Sequence, residues 1–132
     1  MDYLLDTHIV LWFAQGSRQL PSTALDTIVD PQATCAVSVA SAWEVAIKIS
    51  LGKLEVDGGA DGFFEILDSN GFGLLPVGRA EVKVVETLPF HHRDPFDRLL
   101  VATAMSRDLT LITVDAAFSA YGISTLPDVA ER

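Results

Sequence analysis

The sequence predicts an α/β domain: a central parallel β-sheet of about five strands, flanked by helices on both faces in three layers. Three observations carry this. Short apolar runs of strand length alternate with stretches whose apolar residues recur at helical spacing. Gly, Pro and Asn/Asp punctuate the junctions between them. The 132 residues, 49% hydrophobic and 20% charged, suit one folded domain (residues 1–132) with a single core. In such sheets ligands sit beyond the carboxyl ends of the strands, where the strand order reverses.

In chain order, Tyr3-Leu-Leu-Asp6 is an apolar run ending on an acid, a buried strand with Asp6 at its C-terminal end. Ile9 to Ala14 is a helix, and Gly16-Ser-Arg18 a turn. A helix starts at Pro21-Ser22, with Ser22 as N-cap, and Asp30-Pro31 stops it. Ala33 to Val37 is the second strand. Ala42 to Leu51 is a helix with Gly52 as its stop, and Trp43, Ala46, Ile47 and Leu51 form its apolar stripe. Asp57 to Asp61 is a loop, Phe63 to Leu67 is helical, and Asn70-Gly71 ends that helix. Gly73 to Val77 is a third strand, which Pro76 assigns to a sheet edge. Arg79 to Leu88 is a helix stopped by Pro89, and Pro95 to Arg107 another. Leu109 to Thr113 is the fourth strand, Ala116 to Tyr121 a short helix, and Ile123 to Thr125 the last strand.

Composition narrows the functional classes. No apolar run approaches the ~18 residues of a membrane span. The segment Met1 to Asp6 lacks the positive flank and cleavage site of a signal peptide. Cys35 is alone, so an internal disulfide and a zinc ribbon are excluded, and a reducing cytoplasm is expected. A net charge of −9 argues against passive neutralisation of a nucleic-acid backbone. Either the acids are solubility charge, or some converge and bound cations reverse the local sign; a basic partner protein also fits.

The position of the acids favours convergence. Asp6 ends the first strand and Asp115 lies just past the fourth, so both belong at the carboxyl edge of the sheet. Glu44 is placed in the first turn of the helix after the second strand, at the same edge. Asp97 lies in the first turn of a helix that must run back antiparallel to its neighbouring strands, which brings its start to that edge too. Each acid also has a capping explanation. Ser41-Ala-Trp-Glu44 matches a capping box, and Asp94-Pro-Phe-Asp97 matches an Asp N-cap with Pro at N1. Asp94 is assigned to capping alone. Taken together, Asp6, Glu44, Asp97 and Asp115 form a set of oxygen ligands suited to Mg²⁺ or Mn²⁺ and to phosphoryl chemistry.

Other residues carry weaker signals. His8, His91 and His92 lack a third zinc ligand at convincing spacing and are assigned solvent-exposed or capping roles. Trp12 and Trp43 sit at helical apolar positions and are expected in the core. Thr7 and Thr113 flank Asp6 and Asp115 and are placed to fix the acids' rotamers or a metal-bound water. Arg98 meets a phosphate or pairs with Asp94, the pairing being a sufficient explanation. Lys48 is an i,i+4 partner of Glu44.

Four stretches together resemble the PIN-domain family, and within it the VapC-type toxins of bacterial toxin–antitoxin pairs. They are Leu4-Leu-Asp-Thr-His8, Trp43-Glu-Val-Ala-Ile-Lys48 with Leu51-Gly-Lys-Leu54, Asp94-Pro-Phe-Asp-Arg-Leu-Leu100 and Leu111-Ile-Thr-Val-Asp115. The resemblance spans nearly the whole chain in the same order. It implies a sheet with the first strand central and an acidic quartet at Asp6, Glu44, Asp97 and Asp115. It also implies Mg²⁺- or Mn²⁺-dependent endoribonuclease activity on tRNA, rRNA or mRNA, a homodimer, and inhibition by a small VapB-like antitoxin that places a basic residue near the acids. A second reading is a PIN-like binding module that complexes an antitoxin and regulates its promoter, with little catalysis. An aspartyl-phosphate enzyme or receiver domain is disfavoured: His8 stands where a phosphatase wants a second Asp, and a receiver's paired acids and late Lys are absent.

Overall fold

The computed structural model of the protein describes residues 2–127; residues 1 and 128–132 of the expected 1–132 domain lie outside them. Five strands form one sheet in the order β3-β2-β1-β4-β5, and every neighbouring pair is parallel. They are β1 (Tyr3–Leu5), β2 (Cys35–Ser38), β3 (Gly73–Leu75), β4 (Thr110–Ile112) and β5 (Thr125–Leu126). Six α-helices surround them: α1 (Thr7–Gln15), α2 (Ser22–Val29), α3 (Val39–Ser50), α4 (Gly59–Ser69), α5 (Arg79–Thr87) and α6 (Pro95–Arg107). A 3₁₀ turn spans Ala116–Tyr121.

The strands are apolar on both faces because helices cover both. Leu5, Val37 and Ile112 pack with α1, α2, α3 and α4 in one core cluster, which contains the fully buried Phe63. Leu4, Ala36 and Leu111, each one residue out of phase, pack with α6, Phe118 and Tyr121 in the other. The chain walks outward from β1 to β2 and β3, then returns to the far side of β1 for β4 and β5. The order therefore reverses between β1 and β4, which puts the ligand-binding crevice of a doubly wound sheet at their carboxyl ends. Among the described residues no helix is long and apolar enough to cross a membrane.

Several element boundaries differ from expectation. The helix after β2 starts at Val39, not Ala42, because the Ser38 hydroxyl accepts from the Ala40 N–H at 3.0 Å and caps it there. The expected Ser41–Glu44 capping box is therefore not formed, and Glu44 lies in the second helical turn. Removing the Ser38 cap is expected to cost about 1 kcal/mol. Differential scanning calorimetry of Ser38→Ala should show a melting temperature lower by roughly 4 °C.

The apolar stripe assigned to α3 is also the wrong one. Trp43 is 60% exposed and Leu51 62%, whereas Ala42 and Val45 face the core. Both sets satisfy helical spacing, and the sheet accepts the smaller side chains. Trp43 instead meets Phe96 edge-on at 5.3 Å, while Trp12 is half-buried against the core as expected.

At α2, Pro21 occupies the cap position and Ser22 is already helical, with no side-chain cap bond. The expected Asp57–Asp61 loop is shorter, because α4 begins at Gly59. Gly62 is needed there, since a Cβ would overlap the Asp57 carbonyl oxygen. β3 is an edge strand, as Pro76 suggested, but ends at Leu75, before the proline. The last strand is Thr125–Leu126, shifted from the expected Ile123–Thr125.

Helix α6 is anchored at both ends. Asp94 Oδ1 accepts from the Phe96 N–H at 2.8 Å, with Pro95 opening the helix, so the predicted cap is present. Arg98 neither pairs with Asp94 nor faces the cleft. It is buried, and its guanidinium donates to the carbonyls of Pro89 (2.9 Å), Val85 (3.2 Å) and Leu88 (3.2 Å) at the end of α5. It also lies 4.2 Å from the Phe90 ring centroid. At the opposite end, Arg107 Nε donates to the buried Glu81 at 3.0 Å, and Glu81 also accepts from the Gly78 N–H that opens α5. These two ties hold α5 antiparallel to α6 and fix the start of α6 at the carboxyl edge of the sheet.

Candidate active site

A cavity of about 320 Å³ opens at that edge, lined by Asp6, Glu44, Asp94, Asp97 and Asp115 together with His8 and Lys48. The four acids expected to converge thus share one cavity, with Asp94 beside them. A larger groove of about 540 Å³ lies toward the other end of α1, lined by Gln15, Glu55, Asp57 and Glu65, and contains none of the four.

Each acid is held by the element that carries it. Asp6 leaves β1, its N–H donating to Ile112 O on β4 at 3.0 Å, and is 8% exposed. Its Oδ2 accepts from the Thr113 hydroxyl at 2.8 Å. That hydroxyl also accepts from the Asp115 N–H at 3.1 Å, so one threonine ties both strand-end acids together. Burial lifts the Asp6 carboxyl above its usual range, against the lowering effect of Thr113.

Glu44 is 6% exposed. Its Oε1 lies 2.8 Å from Thr7 Oγ1, which is also 2.9 Å from Ser41 Oγ. The threonine has one proton, and the carboxylate can only accept, so Thr7 donates to Glu44 and Ser41 turns its own proton to Thr7. Glu44 Oε2 accepts from Lys48 Nζ at 2.9 Å, the expected i,i+4 pair. That hydrogen bond raises the Lys48 pKa.

Asp97 projects from the first turn of α6. Burial, with Asp94 and then Asp6 adding repulsion, pushes its carboxyl up to about 7. Asp115 is the most exposed of the four, its side chain 44% accessible. Its Oδ1 accepts from the Ala117 N–H at 2.9 Å and caps the 3₁₀ turn.

The other oxygen of Asp115 meets a residue assigned elsewhere by the sequence. His92 Nε2 lies 2.9 Å from Asp115 Oδ2, and the His92 side chain is only 8% exposed. Its ring stacks on Tyr121 and packs against Phe118. The expected solvent-exposed or capping role is therefore wrong for His92, though His8 and His91 are exposed. Donor atoms of His92, Asp97 and Asp115 all lie within 4.8 Å of one another. The sequence signal was slight: a histidine five residues before Asp97, indistinguishable from its neighbour His91 until the fold sets Tyr121 beside it.

The family model described as the PIN domain matches residues 3–123. The chain belongs to the PIN-domain family. No curated protein matches this PIN domain in sequence. Among solved structures, it is similar to the VapBC2 complex of Rickettsia felis bound to a DNA fragment from its promoter, with a TM-score of 0.71 and 16% identity over 95% of this chain and 97% of that one. VapBC-1 of nontypeable Haemophilus influenzae gives a TM-score of 0.68 at 15% identity over 98% and 99% of the two chains. A toxin–antitoxin complex from Klebsiella pneumoniae gives 0.64 at 20% identity over 95% and 96%. At these identities the likeness is one of fold.

The donor set of this PIN domain fits a divalent cation. Two of its carboxylates are buried, all open on one cavity, and the nearby ammonium of Lys48 is already committed to Glu44. Burial, with neighbouring carboxylates adding repulsion, raises both Asp6 and Asp97. A cavity of oxygen donors with uncompensated charge suits a hard cation that keeps some of its water.

Proposed function

We propose that this PIN domain is a VapC-type toxin of a type II toxin–antitoxin pair, a single-domain, metal-dependent endoribonuclease. Its substrate is tRNA, rRNA or mRNA, its cofactor Mg²⁺ or Mn²⁺, and its location the cytoplasm. The carrying observation is the convergence of Asp6, Glu44, Asp97 and Asp115 on one cavity at the switch point of the sheet.

Asp6, Asp97 and Asp115 would hold the cation, with Glu44 completing the site or orienting the attacking water. When bound, the cation supplies an acidified water and neutralises charge on the leaving oxygen. The remaining work belongs to the chain. Thr113 fixes the Asp6 rotamer while holding the backbone of Asp115, and Thr7 and Lys48 hold the two oxygens of Glu44. These bonds keep the acids aimed before substrate arrives, so that little reorganisation is needed when charge develops on phosphorus. The nucleophilic water would attack in line, and the leaving ribose oxygen would take a proton from solvent.

The likeness to VapBC complexes supports a VapB-like antitoxin as partner, and the −9 charge suits an inhibitor that brings a basic residue to the acids. The half-open apolar stripe of Trp43, Ala46, Ile47 and Leu51 on α3 supports a homodimer. A second reading, a catalytically weak module acting in antitoxin binding and promoter autoregulation, draws on the promoter DNA bound in the R. felis complex.

The deciding experiment is cleavage of total RNA by the purified, antitoxin-free chain. Discrete fragments with Mg²⁺ or Mn²⁺, their loss with EDTA and recovery on adding excess cation are expected. Cleavage that survives EDTA at full rate defeats the metal mechanism. No cleavage of any RNA class, with the antitoxin still bound tightly, favours the binding module.

A further inference from the structure

We propose that His92 is a direct nitrogen ligand of the divalent cation, sharing it with Asp97 and Asp115, so that the site favours Mn²⁺ or a later first-row ion over Mg²⁺. The inference rests on the reading of the cleft as a divalent-metal site and adds a donor that reading does not use.

The geometry points to this in three ways. Two donors in adjacent positions of an octahedron, each about 2.1 Å from the metal, are about 3.0 Å apart. His92 Nε2 and Asp115 Oδ2 stand 2.9 Å apart, already at that spacing. Donors on opposite sides are separated by about 4.2 Å at the same bond length. The whole His92–Asp97–Asp115 set falls within 4.8 Å, so its widest pair is at most about 0.6 Å beyond the separation of opposite donors.

The ring is built to hold that position. It is flat on Tyr121, 11° from parallel, and tilted 33° to Phe118 at 4.4 Å, so Nε2 has one direction to face. Its other nitrogen, Nδ1, lies 3.2 Å from the Tyr121 hydroxyl oxygen, which also accepts from the His92 backbone N–H at 2.9 Å. A metal-bound imidazole needs its second nitrogen protonated and donating to a fixed acceptor, and Tyr121 is that acceptor. The two tautomers of the ring differ in which nitrogen carries the hydrogen. Without cation, Nε2–H donates to Asp115. With cation, Nε2 presents its lone pair to the metal and Nδ1–H donates to the Tyr121 oxygen.

The consequence is selectivity. Mg²⁺ takes oxygen ligands almost exclusively, whereas imidazole suits the first-row transition ions. A mixed nitrogen–oxygen site therefore distinguishes Mn²⁺ from Mg²⁺ more sharply than four carboxylates alone.

The test is pulsed electron paramagnetic resonance of Mn²⁺ added to the purified full chain, with Mn²⁺ and Mg²⁺ titrations by calorimetry. The wild type should show a directly coupled ¹⁴N, replaced by the ¹⁵N pattern when the protein is grown on ¹⁵N-histidine, a readout that needs no variant. His92→Gln should lose the coupling and bind Mn²⁺ about 10–100-fold more weakly, with Mg²⁺ affinity changed by less than about threefold. His8→Gln, at the same cavity, should keep the coupling. Mn²⁺ bound without coupled nitrogen, or a coupling that survives in His92→Gln, overturns the inference and leaves the nuclease reading standing; His92 then only orients Asp115. Failure of the wild type to bind Mn²⁺ at all removes the metal site and this ligand with it.

Discussion

Asp97→Asn should make the metal-free protein more stable at pH 8 while lowering RNA cleavage by at least about 10²-fold. The two effects have one cause. In the folded chain the Asp97 carboxyl is pushed up to about 7 from an ordinary 3.8, first by burial and then by Asp94 and Asp6. Between those values the native state holds a proton that the unfolded chain has released. Stability contributed at Asp97 is therefore present at low pH, falls as pH rises through this window, and is lost above it.

At pH 8 the wild type bears a crowded carboxylate, and asparagine does not. Solvent screening of this partly exposed group reduces the advantage of the variant to about 1–2 kcal/mol. That corresponds to a melting temperature higher by roughly 4–8 °C. The advantage should shrink toward pH 4 and vanish below about pH 3, where Asp97 is protonated in both states. Calorimetry in EDTA across pH 4–8 checks the slope. With Mn²⁺ at about 100 times its dissociation constant, the wild type should gain about 2.7 kcal/mol, and the variant little. A variant less stable than wild type at pH 8 without metal would show that Asp97 sits in a compensated site, contrary to the charge balance described.

Arg98→Ala should be the most destabilising change near the site, by about 3–4 kcal/mol, a fall of roughly 10–15 °C. Arg98 is 7% exposed and satisfies three carbonyls where α5 ends. Alanine leaves those acceptors desolvated and unpaired, removes a cation from a helix C-terminus, and empties the volume beneath Phe90. Arg98→Lys should recover less than half the loss, because one ammonium cannot span three carbonyls with the spread of a guanidinium. Urea unfolding in the absence of metal measures both. Because α5 holds α6 in place, the alanine variant should also weaken divalent-cation binding through Asp97. A loss under about 1 kcal/mol would mean that water replaces the guanidinium at the carbonyls.

The acids illustrate how much of the site was legible. Asp6 and Asp115 follow strands, and in a parallel sheet every strand ends at the same edge, so period and order alone bring them together. Asp97 follows from the direction of α6, and Asp94 from its cap chemistry. Glu44 was placed at the correct edge by a partly wrong route. It belongs to the second turn of a helix that Ser38 starts early, and its buried setting with Thr7 and Ser41 comes from α1 packing on α3.

What the sequence by itself determined was the alternation of strands and helices, the apolar runs that demand cover on both faces, and the carboxylates at strand ends. These are local properties, written in spacing and in the chemistry of neighbouring residues. Only the tertiary structure decided which of two apolar stripes α3 buries, that Arg98 serves the carbonyls of α5, and that His92 stands against Asp115. Each of those is a choice between partners far apart in the chain. Helical spacing is satisfied equally by Trp43 or by Ala42, and His91 and His92 differ in nothing until Tyr121 arrives from 29 residues away. Side-chain volume against the sheet and the supply of unpaired carbonyls settle those choices, and neither exists until the layers have packed.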